Sequence, residues 1–125
     1  MVESIGVDII ELQRIEQTVS RFGTRFTRRI LSAAEQDNMS RRPDATAYLA
    51  GRFAAKEAVM KALGEFFDSG VQLRDIEILN DGEGRPHVRL PQRLRDTLHT
   101  KTILLSISHS KDNAVAMAVI GDKRD

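Results

Sequence analysis

Two residues of opposite charge lie four positions apart in a stretch of the sequence that is mostly small and apolar. Glu57 and Lys61 fall within residues 45–63, where small or apolar residues occupy almost every side of a predicted helix. Residues four apart are neighbours on a helix surface, so the two can form an ordinary ion pair, worth only about 0.3–0.5 kcal/mol. On a largely buried helix, however, a charged pair either lines a cavity or forms a costly internal ion pair.

A third charged residue, Asp8, interrupts the apolar, β-branched segment 5–10, which is predicted to be a buried strand. A carboxylate there is unfavourable unless a charged group meets it. Two carboxylate ligands, Asp8 and Glu57, in a chain without cysteine indicate a hard cation. Magnesium fits best, because it binds one or two carboxylates and leaves its other positions to water and phosphate oxygens. With Lys61 as a positive charge beside a phosphate, these residues predict a magnesium-assisted reaction at a phosphate ester.

A polar segment, residues 106–110 (Ser-Ile-Ser-His-Ser), closes a predicted strand. Its hydroxyls, the imidazole of His109 and the amides of the following turn can donate to phosphate oxygens. The alternative is a polar turn with His109 merely exposed. A serine–histidine pair for acyl transfer is disfavoured, because adjacent residues at a strand end point to opposite faces.

The first half of the chain must position these groups with helices. Apolar residues at spacings of three and four predict a helix that ends at Gly23. Thr24 and Ser32 are expected to cap two more helices, and Asp44 is expected to cap the long helix over residues 45–63.

The second half of the chain predicts strands. Alternating residues at 76–78 and 87–90 flank a turn cluster and predict a hairpin, and a short helix follows from Pro91. Residues 102–107 and 114–120 predict two more strands. The expected class is α+β, with a small, mostly antiparallel sheet, a long buried helix and the order β-ααα-ββ-α-ββ.

Length and composition favour a single domain over residues 1–125, with 41% hydrophobic and 30% charged residues. A net charge of +1 argues against a protein that coats nucleic acid. The longest apolar run, 114–120, is too short for a membrane span, and the first residues lack the features of a signal peptide, so a cytoplasmic protein is expected.

Seven arginines against three acidic residues in 14–42 predict either a solvated helix face or a surface for an acidic partner.

Three segments in matching order resemble the bacterial holo-[acyl-carrier-protein] synthases, the short 4′-phosphopantetheinyl transferases. They are residues 6–15 (GVDIIELQRI), 51–64 (GRFAAKEAVMKALG) and 106–110 (SISHS). The resemblance covers nearly the whole chain and implies the 4′-phosphopantetheinyl transferase fold. It implies transfer of the 4′-phosphopantetheine group of coenzyme A to a serine of apo-acyl carrier protein in fatty-acid biosynthesis, with release of adenosine 3′,5′-bisphosphate. It also implies a homotrimer with active sites between subunits.

Matching positions in this resemblance assign roles to the charged residues. Asp8 and Glu57 would bind Mg²⁺, Glu57 would help remove the serine proton directly or through a water, and Lys61 would neutralise charge on the leaving phosphate. The nucleotide end of coenzyme A would be contacted by Arg52, Ser108, His109, Arg85 and Pro86.

The resemblance gives the arginines a partner, because acyl carrier protein is strongly acidic. Arg14, Arg21 and Arg25 match basic positions that bind it, and opposite charge speeds encounter and fixes orientation. The sequence departs from the family pattern after Gly64, where residues 65–70 read EFFDSG in place of a second glycine-rich stretch. Two alternatives stay open: an arginine-faced adaptor for acidic proteins or RNA, and a magnesium-dependent phosphohydrolase that uses water as its nucleophile.

Overall fold

A three-stranded antiparallel sheet forms one layer of the fold. The computed structural model describes residues 1–66 and 70–123. Strands β1 (Val2–Glu11) and β4 (Lys101–His109) both pair with β5 (Asn113–Asp122), which lies between them. Asp8 lies opposite Ala116 in this register, on the edge strand β1.

A separate two-stranded sheet is formed by the predicted hairpin, β2 (Glu77–Asn80) and β3 (Pro86–Arg89). The turn between them is held by Asp81, whose carboxylate accepts hydrogen bonds from the backbone N–H groups of Glu83 and Arg85. The strands therefore divide into two sheets rather than the single sheet expected, because the hairpin buries its apolar residues against the helical core instead of extending the larger sheet.

The helices confirm the α+β class and the predicted order of elements. The described part of the chain contains α1 (Leu12–Phe22), α2 (Thr24–Ile30), α3 (Ala33–Ser40), α4 (Ala45–Leu63) and α5 (Gln92–Thr97). None of these helices in residues 1–66 and 70–123 has the length and apolarity needed to cross a membrane.

The helix starts follow the predicted positions but not always the predicted contacts. Ser32 caps α3 as expected, through a hydrogen bond to the amide three residues on. The cap of α2 is Gly23, and Thr24 is instead the first helical residue. Asp44 stands at the cap of α4, but its carboxylate accepts two hydrogen bonds from the guanidinium of Arg42, at 2.8 and 3.0 Å, and none from the helix. The charged guanidinium of Arg42 therefore binds this carboxylate in preference to the backbone amides of the first turn of α4.

The long helix α4 lies across one face of the three-stranded sheet, and small side chains allow a very close approach. Ala54, Ala55 and Ala58 are fully buried along the helix. A Cβ atom placed on Gly6 of β1 would lie 2.0 Å from the carbonyl oxygen of Ala58 and 2.7 Å from the amide nitrogen of Ala62. Only glycine fits at this contact, which fixes how α4 sits on β1.

The opposite face of the same sheet is apolar and open to solvent. Because side chains alternate along a strand, the residues that do not face α4 share this surface. Its large members are 45–65% exposed: Ile5, Val7, Ile9, Leu104 and Met117. We call this surface the open sheet face.

Candidate active site

Asp8 and Lys61 meet where β1 crosses the C-terminal half of α4. The strand's alternation turns Asp8 toward the helix, where its side chain is only 18% exposed. The Nζ atom of Lys61 donates to Oδ1 of Asp8 at 3.0 Å and to the carbonyl oxygen of Val7 at 3.0 Å. Among the described residues, Lys61 therefore pairs with the strand and not with Glu57 on its own helix. The ordinary helix ion pair considered for Glu57 and Lys61 is wrong.

Glu57 lies one helical turn before Lys61 and is partly buried. Burial raises the pKa of the Glu57 carboxyl, and the nearby carboxylate of Asp8 raises it further, while Lys61 opposes both effects. The two acids thus repel one another across the strand–helix contact. A positive charge placed between them would remove that repulsion.

The donor set fits a hard divalent cation. Asp8 and Glu57 offer carboxylate oxygens, the ligand type that Mg²⁺ prefers. Within residues 1–66 and 70–123, no cluster of three or more acidic, histidine or cysteine side chains is placed to hold a metal. A cation held by these two acids would keep most of its coordination positions for water and phosphate oxygens, as Mg²⁺ commonly does.

A second site lies along the N-terminal half of α4, in a cavity of about 170 Å³. We call it the Arg52 cavity. Arg52 is buried, its guanidinium lies 4.7 Å from the centre of the Tyr48 ring, and its Nη2 atom donates to Oδ1 of Asn80 at 3.1 Å. The guanidinium of Arg42 lies 5.1 Å from the same ring. One aromatic ring thus contacts two guanidinium groups, and His109 lines the same cavity.

Two buried polar atoms that line this cavity lack partners. The hydroxyl of Tyr48 and the Nε atom of Arg52 make no hydrogen bond within the described part of the chain. Leaving a buried donor unpaired costs about 1–3 kcal/mol. Tyr48 and Arg52 therefore bring unpaired donors to the wall of the cavity, where Arg52 carries a positive charge and Asp44 offsets the charge of Arg42. Unpaired donors beside a guanidinium favour a ligand with acceptor oxygens.

The cavity brings together three of the five residues expected at the nucleotide end of coenzyme A. Arg52, Pro86 and His109 line it from three distant segments. Ser108 does not, because alternation along β4 turns its side chain to the open sheet face. Arg85 does not line it either: it is exposed in the hairpin turn, where its Nε atom lies 3.8 Å from Glu83.

The two sites share one helix. Arg52 precedes Glu57 by five residues and Lys61 by nine, which separates them by about 7.5 and 13.5 Å along the helix axis. At 100° per residue, however, Arg52 lies about 140° around the helix from Glu57 and about 180° from Lys61. The structure thus places the predicted metal and phosphate residues on the β1 side of α4 and most of the predicted nucleotide contacts on its hairpin side.

The arginines expected to bind a partner form an exposed surface on α1 and α2. Arg14 and Arg21 are seven residues apart and so share one face of α1, and Arg25 follows in α2. The guanidinium of Arg21 lies 5.1 Å from the ring of Phe22, which is itself 48% exposed. Phe22, Phe26 and Arg25 line a small hollow of about 170 Å³. The surface is therefore basic with an apolar centre.

Sequence reasoning missed several residues of the Arg52 cavity. Tyr48 could have been found, because it lies four residues before Arg52 on the same helix face. Arg42 and Asn80 carry no spacing signal, since they reach the cavity from a loop and from β2.

After α4, Gly64–Phe66 forms a short 3₁₀ turn. Residues 67–69, which are half of the 65–70 segment that departs from the family pattern, lie outside the part of the chain that the structure describes.

Comparison with known proteins identifies the class to which this fold and site belong. The sequence profile of the 4′-phosphopantetheinyl transferase superfamily matches residues 4–120. The chain therefore belongs to this superfamily.

Relatives narrow the family further. The chain is 44% identical over 119 residues to a holo-[acyl-carrier-protein] synthase of Protochlamydia amoebophila, covering 95% of this chain and 98% of the relative. It is 46% identical over 116 residues to one of Pelodictyon phaeoclathratiforme, covering 93% and 96%. The chain is thus a member of the holo-[acyl-carrier-protein] synthases, which confirms the family and the enzyme class that the three motifs indicated.

Solved structures agree with this placement. A holo-(acyl-carrier-protein) synthase from Bacillus anthracis, in complex with CoA (3′,5′-ADP), is 38% identical with a TM-score of 0.81, covering 98% of this chain and 99% of that one. One from Helicobacter pylori, in complex with coenzyme A, is 33% identical with a TM-score of 0.83, covering 94% and 99%.

Proposed function

We propose that this chain transfers the 4′-phosphopantetheine group of coenzyme A to a serine of apo-acyl carrier protein. The serine oxygen forms a bond to the phosphorus of the phosphopantetheine, and the bond from that phosphorus to the bridging pyrophosphate oxygen breaks. The bridging oxygen leaves with adenosine 3′,5′-bisphosphate. The observation that carries the proposal is helix α4, which bears the Arg52 cavity on one side and two acids and a lysine on the other, so that two copies of the chain would meet around one coenzyme.

The Arg52 cavity would hold the nucleotide end of coenzyme A. Its unpaired Tyr48 hydroxyl and Arg52 Nε atom would donate to acceptor atoms of the ligand, and His109 and Pro86 line the same space. Two relatives solved with coenzyme A or a part of it support this assignment. In one copy of the chain Arg85 and Ser108 lie outside the cavity, so any contact from them requires the turn to close or a second copy to contribute.

Asp8 and Glu57 would hold Mg²⁺ against the pyrophosphate, where the cation neutralises phosphate charge. The repulsion between the two carboxylates, which raises the pKa of Glu57, supports this role. Glu57 would accept the serine proton, directly or through a water, since a carboxylate positioned beside the reacting groups can serve as a general base. Lys61 would neutralise negative charge that develops on the leaving phosphate.

The basic surface of α1 and α2 would dock acyl carrier protein. Arg14, Arg21 and Arg25 are exposed and unopposed by nearby ion pairs among the described residues. Their charge complements an acidic partner and would raise the rate of encounter. The exposed ring of Phe22 would add an apolar contact at the centre.

A homotrimer would cover the open sheet face. Monomers rarely leave a contiguous apolar surface of this kind in water, and a second copy of the chain presents the same apolar residues. Ser108 projects on this face, so it would lie between subunits and reach a coenzyme bound by a neighbouring copy. The family resemblance supports a role for the reaction in cytoplasmic fatty-acid biosynthesis.

The test is a transfer assay with coenzyme A, Mg²⁺ and an apo-acyl carrier protein. Intact-protein mass spectrometry should show the carrier heavier by one phosphopantetheine, with adenosine 3′,5′-bisphosphate released in equal amount. An adaptor predicts neither product. A phosphohydrolase predicts cleavage of coenzyme A with no change in the carrier.

The same assay tests the metal. Asp8→Ala and Glu57→Ala should abolish transfer while circular dichroism shows a retained fold, and a chelator should stop the wild-type enzyme. Asp96→Ala, which removes an exposed acid on α5, is the matched control and should transfer normally. Full wild-type activity after exhaustive chelation would contradict the magnesium assignment.

A further inference from the structure

A lysine that lies next to Glu57 on α4 is fully buried and fully hydrogen-bonded. Lys56 has no exposed surface. Its Nζ atom has three protons and three oxygen partners: Oε1 of Glu35 at 2.5 Å, the carbonyl oxygen of Ile30 at 2.7 Å and the carbonyl oxygen of Leu73 at 3.1 Å.

The partner acid is equally buried and equally satisfied. Glu35 has no exposed surface. Its Oε1 atom also accepts the backbone N–H of Ser32 at 2.8 Å, and its Oε2 atom accepts the backbone N–H of Ile78 at 2.9 Å. The ion pair therefore anchors four backbone groups as well as joining two side chains.

These anchors join elements that carry different parts of the proposed site. Ile30 is the last residue of α2, the helix that carries Arg25. Ile78 lies in β2, which ends at Asn80, the partner of Arg52. Lys56 itself precedes Glu57 by one residue. The carrier-facing helix, a strand of the coenzyme cavity and the helix of the metal-binding acids thus meet at one ion pair.

Stability alone does not account for such a pair. Burial lowers the pKa of Lys56, and only the charge and hydrogen bond of Glu35 oppose this effect strongly. Apolar residues of similar volume in place of a buried ion pair are often as stable or more stable, whereas removing one partner alone is strongly destabilising. What an apolar pair cannot supply is the fixed geometry of four backbone anchors.

We propose that Glu35 and Lys56 are positioning residues for the transfer reaction. They set where α2 and β2 lie relative to Glu57, and thereby align the carrier serine with the coenzyme pyrophosphate. This inference rests on the proposed function. Neither residue contacts a substrate, so each substrate keeps its own binding residues when the pair is removed. Loss of alignment lowers kcat, and a misplacement of about 1 Å can cost about 100-fold.

The experiment compares the double variant Glu35→Leu/Lys56→Met with each single variant and the wild type. The single variants should lose thermal stability. The double variant should lose less than the two single losses added together, because it leaves four backbone groups unpaired but no buried charge. The kcat of the double variant should nevertheless stay lower by about tenfold or more, with both KM values within about threefold of wild type. The matched control is Asp37→Asn/Arg41→Gln, which removes an exposed ion pair from α3 and should leave kcat unchanged.

A stable double variant with wild-type kcat would overturn the proposal, since the pair would then be structural only. So would a rise in the KM of one substrate with an unchanged kcat, which would indicate damage to a single binding surface. If the double variant does not fold, Glu35→Gln, assayed well below its own melting temperature, must show the same loss of kcat; wild-type kcat there also overturns the proposal. Absence of transfer by the wild-type enzyme in this assay would instead refute the proposed function.

Discussion

Replacing Gly6 with alanine inserts a methyl group into the contact between β1 and α4. The new carbon would lie 2.0 Å from the carbonyl oxygen of Ala58 and 2.7 Å from the amide nitrogen of Ala62. Both are backbone atoms of a buried helix, so neither can rotate away. Since a carbon needs more than 3 Å of clearance, the strand and the helix must separate by about 1 Å.

This displacement has two consequences of different size. Forcing an extra methyl into a packed core costs about 1–3 kcal/mol. A loss of about 2 kcal/mol lowers the melting temperature of a chain of this length by roughly 6–10 °C. Asp8 lies two residues beyond Gly6 and Glu57 lies beside Ala58, so the same shift moves the two acids apart. A displacement of about 1 Å between catalytic groups costs about 100-fold in kcat.

Thermal unfolding by circular dichroism and the carrier-transfer assay, run below the melting temperature of the variant, measure the two effects separately. Gly82→Ala is the matched control, because a Cβ atom there meets nothing within 4 Å and the residue has no positive φ. If Gly6→Ala has the melting temperature and the kcat of the wild type, β1 and α4 do not approach as closely as the structure indicates. A lower melting temperature with normal kcat would show that the contact stabilises the fold without placing the acids.

Three further outcomes are expected. Lys61→Met should lower kcat by about 100-fold while isothermal titration shows little change in coenzyme A binding, because the charge that it stabilises develops during the reaction; equal losses in both would contradict this role. Folding raises the pKa of Glu57. Between the ordinary pKa of glutamate and this raised pKa, the folded protein binds more protons than the unfolded chain, so its stability falls as pH rises. The melting temperature of Glu57→Gln should therefore rise relative to that of the wild type as pH is raised from about 4 to about 8. Added Mg²⁺ should stabilise only the wild type. A constant difference in melting temperature across this pH range would refute the raised pKa. Arg14→Glu should raise the KM for acyl carrier protein by about tenfold at low salt and less at high salt, since exposed charges are screened over about 8–10 Å. Arg28→Glu is the comparison and should raise the KM for acyl carrier protein less. If Arg14→Glu and Arg28→Glu raise it equally, the arginines act only through a non-specific positive charge.

Local patterns predicted most of the elements. The bounds of α4, residues 45–63, follow from a break before it, a small or apolar surface on nearly every side and Gly64 after it, and the structure has the same bounds. The hairpin and the capping box at Ser32 also depend on neighbours in sequence. Asp8 could be singled out because a charge in an apolar strand is anomalous on its own.

Contacts between distant segments could not be predicted in this way. The ion pair of Glu35 and Lys56 joins residues 21 positions apart, and no spacing rule connects a residue of α3 with one of α4. The partner of Lys61 was wrongly sought on the same helix, because the spacing rule says nothing of a strand 53 residues earlier. Asp44 failed as a side-chain cap since the guanidinium of Arg42 competes for its carboxylate. Each of these outcomes depends on which groups the tertiary fold brings together.

The position of β5 in the sheet has a consequence for how the chain acquires its structure during synthesis. The strand β1, which is made before β4 and β5, pairs with β5, and so does β4. Until β5 has been made, β1 has no sheet partner, and the strand that carries Asp8 has only helices against which to pack. Such sequence-distant pairing slows folding relative to local contacts. We therefore expect ribosome-bound chains halted before residue 113 to remain sensitive to protease, and protection to arise in a single late step once residues 113–122 are free to pair.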